Sequence, residues 1–264
     1  MIDPAKVCLF IPPELKKFKL NLFERIGAKI GRVARDDPKK LLELPDEIIP
    51  IVGCTPALRP LIDGWQQRGR PWIYWDRGYC RRIFATDLPV GEHGGQYRWH
   101  LNSFQMQVIR DVPDDRWRAL DTPIWPWSRN GEHVVVAEPS PTYRRFHKIE
   151  GWTERAIAAL KQLTDRPIVT RDKEMQRFGR KLHEDIKGAH ALVTHGSNAA
   201  VEAVIMGCPV FVDQSSAAAL VGATDLAKIE VPIYPERERW CHSLSYSQFN
   251  EQELVDGTLW SLIT

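Results

Sequence analysis

Ala191-Leu192-Val193-Thr194-His195-Gly196-Ser197-Asn198-Ala199-Ala200-Val201-Glu202-Ala203-Val204-Ile205-Met206-Gly207-Cys208-Pro209-Val210-Phe211-Val212 decides how the second half of the chain is read. A short apolar run ends at Thr194, Gly196 permits a tight turn, and Ser197 or Asn198 is placed to cap a helix of small residues reaching Met206. Gly207-Cys208-Pro209 then stops the helix and feeds a second run, Val210-Phe211-Val212-Asp213. Strand, turn, helix, turn and strand make the repeating unit of a parallel sheet with helices on its faces. In such sheets ligands sit beyond the carboxyl ends of the strands, where the N–H groups opening a helix favour an anion. Thr194, His195, Gly196, Ser197 and Asn198 are therefore candidates for contact with a phosphorylated ligand. Glu202, one turn into the helix, is placed to accept hydrogen bonds from ribose hydroxyls.

The same alternation extends outward from this stretch. His133-Val134-Val135-Val136-Ala137 reads as a strand, residues 138–142 as a loop, residues 151–163 as a helix, and Pro167-Ile168-Val169-Thr170 as another strand. Three loops fall at the same sheet edge. One, Pro139-Ser140-Pro141-Thr142-Tyr143, carries Ser140; one carries Arg171 and Lys173, basic residues suited to phosphates; one carries Asp213 and Gln214, suited to sugar hydroxyls. Each has a plainer reading as a helix cap or a solvated charged loop. The tail, residues 232–264, predicts two short helices, the second opened by Asn250 with Glu253 three residues on.

The first half repeats the logic less clearly. Val7-Cys8-Leu9-Phe10-Ile11 is a buried strand stopped by Pro12-Pro13, and residues 21–33 have helical spacing. Strands follow at residues 48–53 and 72–75, with a helix over 57–68 between them. Residues 84–130 show no clean period, although 97–102 reads as a strand and 111–119 as a short helix. The chain divides, on this reading, into domains 1–128 and 129–264. Asp76 follows a strand, and His100 lies near the end of another; a carboxylate or imidazole in such a place can remove a proton from a hydroxyl. The plainer readings are a turn-stabilising aspartate and a hydrogen-bonded histidine.

Composition narrows the classes. The 264 residues are 43% hydrophobic and 27% charged with a formal net charge of +2, a globular balance that demands no polyanionic partner. Five scattered cysteines form no Cys-x-x-Cys pair, so neither a disulfide framework nor a thiolate zinc site is indicated. There is no Asp-x-Asp, no His-x-x-x-His and no Gly-x-x-x-x-Gly-Lys-Ser/Thr phosphate loop, so no metal site or ATPase is expected. No apolar run approaches the roughly 20 residues of a membrane span, and the N-terminus does not read as a signal peptide. The cytoplasm is the expected location.

The His195-Gly196-Ser197 turn, the small-residue helix bearing Glu202, and Gly207-Cys208-Pro209-Val210-Phe211-Val212 together resemble the donor-binding half of the GT-B glycosyltransferases. The resemblance covers residues 131–230. It implies an α/β fold of two Rossmann-like parallel-sheet domains facing a cleft, with residues 1–128 binding the acceptor and 129–264, with C-terminal helices, binding the donor. It places His195, Gly196, Ser197 and Asn198 at the diphosphate or sugar of a nucleotide-sugar donor, and Glu202 at the ribose. It implies no cofactor and no metal, with a UDP-linked sugar as co-substrate. The chain departs from many members in having Met206 where a second acidic residue would stand.

The run Arg68-Gly69-Arg70-Pro71-Trp72-Ile73-Tyr74-Trp75-Asp76-Arg77-Gly78-Tyr79, with Tyr97-Arg98-Trp99, also resembles glycosyltransferase-like proteins of bacteriophages. That resemblance implies DNA modification, with a hydroxymethylated pyrimidine as acceptor, in a host cytoplasm. Reaching the base requires flipping it onto aromatic rings beside basic residues. Trp75, Arg77, Tyr79 and Arg98 are the acceptor-binding candidates, and Lys16, Lys17, Lys19, Arg81 and Arg82 interleave with Trp72 and Trp99 in the same manner. The other readings are a transferase acting on a surface glycan, a sugar-nucleotide epimerase-like enzyme, and a non-catalytic nucleotide- or DNA-binding module. Nothing in the sequence sets the oligomeric state.

Overall fold

The computed structural model describes residues 2–13, 17–80, 95–172 and 180–263, with 17–19 by backbone alone. The chain forms two compact units: Met1–Phe104 with Leu244–Thr264, and Gln105–Ser243.

The first unit is built on β1 (Val7–Ile11), β2 (Arg32–Arg35), β3 (Ile49–Gly53), β4 (Ile73–Arg77) and β5 (Gln96–Leu101), completed by β10 (Gln248–Asn250) from the tail. Their order is β10-β5-β4-β3-β1-β2. Strands β2, β1, β3 and β4 are parallel, whereas β5 runs antiparallel to both β4 and β10. The sheet is thus mixed where the sequence predicted a parallel one. Every residue of β1 is buried, as its continuous apolar run requires. Strand β2 went unpredicted because only Ala34 of its four side chains is buried, so it lacks an apolar run. The preceding helix accordingly ends at Gly27 and Val33 belongs to the strand.

Antiparallel pairing with β5 also lengthens β4. Asp76 and Arg77 lie within the strand, not after it, and Asp76 stands opposite Arg98. The tail returns to this unit: Phe249, Leu254, Leu259 and Trp260 pack in one core with Leu9, Phe23, Trp75 and Trp99. The helix Glu251–Asp256 opens with the expected Asn250–Glu253 capping box. The sequence placed the division near residue 128 and the tail beyond it. Apolar spacing identifies helices in the tail but not the sheet they cover, and the aperiodic stretch 84–130 hides the junction.

The second unit has four parallel strands, β6 (His133–Ala137), β7 (Ile168–Arg171), β8 (Ala189–Val193) and β9 (Val210–Phe211), in the order β7-β6-β8-β9. The predicted helices appear as Trp152–Leu163 and Asn198–Ile205, and the 111–119 helix contracts to Asp115–Ala119. The loop expected over 138–142 gives way at Pro141 to an unpredicted helix, Pro141–His147, capped by Ser140. Valines of β6 and β8 pack with Leu160, Phe211 and Ile229.

In the first unit, Gln248 fastens the returning tail. Its buried Oε1 accepts from the backbone N–H groups of Tyr79 at 2.7 Å and Cys80 at 3.0 Å. Gln248→Leu removes the acceptor of two buried donors, each costing about 1–3 kcal/mol. A fall of that size in unfolding free energy, read by urea denaturation, is the expected result.

Candidate functional site

Strand order in the second unit reverses between β6 and β8: β7 lies outside β6 on one side and β9 outside β8 on the other. At such a reversal the connections leave toward opposite faces and open a crevice at the carboxyl ends of the strands. The segments following β6 and β8 are Glu138–Ser140 and Thr194–Ser197. The turn that dominated the sequence reading therefore lies at the sheet's switch point.

Four contacts shape this turn. Thr194 is fully buried, and its hydroxyl donates to Ala137 O at 2.7 Å, tying the end of β8 to the end of β6. Gln105, 1% exposed, donates from Nε2 to Gly196 O at 2.7 Å and accepts on Oε1 from Ala217 N at 2.9 Å. Asp213 N donates to His195 O at 2.9 Å. Ser197 caps the helix Asn198–Ile205, its hydroxyl accepting from Ala199 N. Gly196 is not in the left-handed region; it lacks a side chain because a Cβ there would overlap the Tyr143 hydroxyl and meet Gln105 Nε2 at 3.1 Å.

His195 is half-buried among aromatic and titratable groups. Tyr143 Oη lies 3.4 Å from His195 Nδ1, and Asp213 Oδ2 lies 3.8 Å from Nε2. The Tyr143 ring stacks on His147 at 4.0 Å, and Trp152 presents its ring at 85° to His195. Burial lowers the His195 pKa below 6.5, opposed by the Asp213 charge. Burial works to raise the Asp213 carboxyl, but hydrogen bonds from Ser215 and the charges of His195 and His147 outweigh it, leaving a value below 3.8.

The predicted donor residues besides His195 and Gly196 fall into four groups. Asn198 and Glu202 lie half-buried on the helix that follows the turn, and Asp213 and the exposed Gln214 follow β9. Thr194, Ser140 and Ser197 hold the local structure through the contacts given above; Ser140 accepts from Tyr143 N. Arg171 is buried and ion-paired with the buried Asp185, and its Nη2 donates to Arg180 O at 2.9 Å, so its guanidinium serves the fold. Lys173 lies outside the described residues, as do Lys16, Arg81 and Arg82. Tyr143 closes the candidate cleft loop 139–143 but was given no role of its own, and Trp152 was placed within the helix 151–163. His147, which lies between the two, and Gln105, in a stretch without period, were missed.

In the first unit, Asp76 is held by Arg98, whose Nη2 lies 2.9 Å from Oδ2; the Arg98 side chain is 4% exposed and that of Asp76 34%. Arg77 N donates to Asp76 Oδ1 at 2.8 Å. His100 is buried with Nε2 2.8 Å from Tyr79 Oη, the hydrogen-bonded structural arrangement. Trp72, Trp75, Tyr79 and Trp99 are all buried, so none of these rings offers a face to a flipped base. Arg98 is likewise enclosed beside Tyr79, leaving half-buried Arg77 as the more accessible of the named acceptor contacts. Among the described residues no group of three or more His, Cys, Asp or Glu side chains is placed to hold a metal ion.

Two solved structures, both from Thermosulfurimonas dismutans KpsC, share this fold. Its beta Kdo 2,7 transferase matches with a TM-score of 0.56 at 12% identity, over 96% of this chain and 98% of that one. Its beta Kdo 2,4 transferase matches with a TM-score of 0.52 at 11% identity, over 98% and 99%. No protein-family model and no curated protein matches the chain. The likeness is one of fold, carried by the α/β elements described above.

The His195 environment gives a signed pH dependence. Because the folded imidazole takes up its proton less readily than the unfolded one, stability falls as pH drops from about 6.5 toward the folded value. His195 is expected to titrate below 6.5, and Asp213→Asn to move its midpoint lower still. Ring-proton NMR against pH checks both, and a midpoint that rises in the variant contradicts the assigned electrostatics.

Proposed function

We propose that this protein is a glycosyltransferase that moves a sugar from a nucleotide-linked donor to a hydroxyl of a glycan, without a metal ion. The observation that carries the reading is the switch-point turn of the second unit. There, a helix start, a half-buried imidazole and the carboxylates of Glu202 and Asp213 follow neighbouring strand ends of a parallel sheet. The whole-length fold likeness to two Kdo transferases supports transfer to a glycan and makes activated Kdo one donor to try. The burial of Trp72, Trp75, Tyr79 and Trp99 removes the support that the sequence lent to a DNA base.

In this reading the helix start neutralises the departing nucleotide, Glu202 accepts from the ribose, and His195 and Asp213 contact the sugar. The half-exposed Asp76, braced by Arg98, is the carboxylate assigned to the acceptor hydroxyl. His100 has no part in proton transfer.

Incubating the chain with nucleotide-linked sugars, UDP-linked sugars and activated Kdo among them, tests the proposal. Slow donor hydrolysis alone, and transfer when oligosaccharides are added, are the expected results. An isomerised donor would instead identify an epimerase, binding without turnover a non-catalytic module, and labelled DNA the acceptor set aside above. Glu202→Ala is expected to weaken free-nucleotide binding roughly tenfold, the loss of one hydrogen-bonded pair to a charged group. Asp76→Asn is expected to lower turnover much more than donor affinity. Calorimetry and initial rates separate the two effects.

A further inference from the structure

Two segments converge on the His195 imidazole, and their chemistry fixes where its proton sits. Asp213 Oδ1 is engaged by Ser215, through N–H at 2.9 Å and Oγ at 2.6 Å, which turns Oδ2 toward His195 Nε2 at 3.8 Å. A carboxylate only accepts, so it favours a proton on Nε2. On the other side of the ring, Tyr143 Oη approaches Nδ1 at 3.4 Å. A phenol can donate to a bare Nδ1 or accept from a protonated one; with the Asp213 carboxylate favouring the proton on Nε2, the phenol donates to a bare Nδ1. The Nε2–H tautomer is the one that suits both neighbours at once.

Tyr143 is placed for this by several features. Its backbone N–H is held by Ser140, its ring lies against His147, and the absent side chain of Gly196 leaves room for its hydroxyl.

The 3.8 Å gap between Nε2 and Oδ2 is too long for a direct hydrogen bond, yet an oxygen about 2.8 Å from each spans it. A hydroxyl suits both sides, accepting from Nε2–H and donating to the carboxylate. A phosphate oxygen suits only the imidazole and is repelled by Asp213. We propose that Tyr143 is a positioning residue that fixes the Nε2–H tautomer of His195, so that His195 and Asp213 together grip one sugar hydroxyl of the ligand. His195 then serves as a hydrogen-bond donor and not as the base. The hydroxyl assignment rests on the transferase reading; the tautomer does not.

Long-range 15N–1H NMR of the ligand-free chain, above the pH at which His195 titrates, reads the tautomer. Wild type is expected to show Nε2 protonated and Nδ1 bare, and Tyr143→Phe, checked for folding by circular dichroism, a mixture of the two forms. A protonated Nδ1 in wild type, or an unchanged tautomer in Tyr143→Phe, overturns the positioning role. For the grip, Asp213→Asn is expected to weaken a bound nucleotide sugar roughly tenfold while sparing the free nucleotide. Equal losses for both overturn the hydroxyl assignment. If wild type binds no nucleotide sugar, the transferase reading and the grip fail together, while the tautomer is still decided by NMR.

Discussion

The reversal of strand order between β6 and β8 is the constraint from which the second unit's chemistry follows. Parallel strands need crossover connections, and where successive crossovers go to opposite sides the ends of two central strands are left uncovered. Such an opening must be held in shape, because exposed strand ends have no ladder partners beyond them. The Thr194 hydroxyl on Ala137 O does this across the reversal, and Gln105 does it between the turns that follow β8 and β9. Both side chains are buried, so the turn bearing His195 is set by interactions that a ligand does not touch.

The first unit solves a different problem. Its antiparallel β5 sets Arg98 directly across from Asp76, and burying an arginine is tolerable only beside a carboxylate or comparable acceptors. Cation–π contact with Tyr79 completes the enclosure. The result is a partly exposed carboxylate whose direction is fixed by a charge Arg98 cannot lose and by the Arg77 N–H on Oδ1. A residue read from sequence as a free strand-end aspartate is thus a cross-strand partner first.

Legibility in the sequence followed apolar patterning. Strands β1, β3, β6 and β8 and the helix after Gly196 were evident because each buries a continuous run or a helical face. Strand β2, with one inward side chain, and the helix Pro141–His147, with Phe146 as its buried residue, gave no such signal. Site residues divided in the same way. His195, Gly196 and Asp213 were visible because strand-end loops are where ligands gather. The contacts that tune them were not, since Tyr143, though at the end of a candidate cleft loop, and Gln105 act through tertiary contacts that no local spacing encodes. Buried ion pairs misled in the opposite sense. Arg171 and Arg98 look like ligand-facing bases in sequence, and only the fold reveals Asp185 and Asp76 against them.

Continuity of the chain adds a last constraint. The second unit is one unbroken segment, whereas the first is closed only by residues 244–264, which supply β10 and part of its core. During synthesis β5 therefore waits, with one edge unpaired, until the whole second unit has emerged. An exposed, aromatic-rich strand edge is prone to wrong pairing. The burial of Gln248 against the Tyr79 and Cys80 backbone gives the late-arriving strand a polar register mark that an apolar contact alone would not supply. The sheet edge next to the Asp76–Arg98 pair is thus specified by a residue 169 positions beyond Tyr79, on the far side of the whole second unit in the chain.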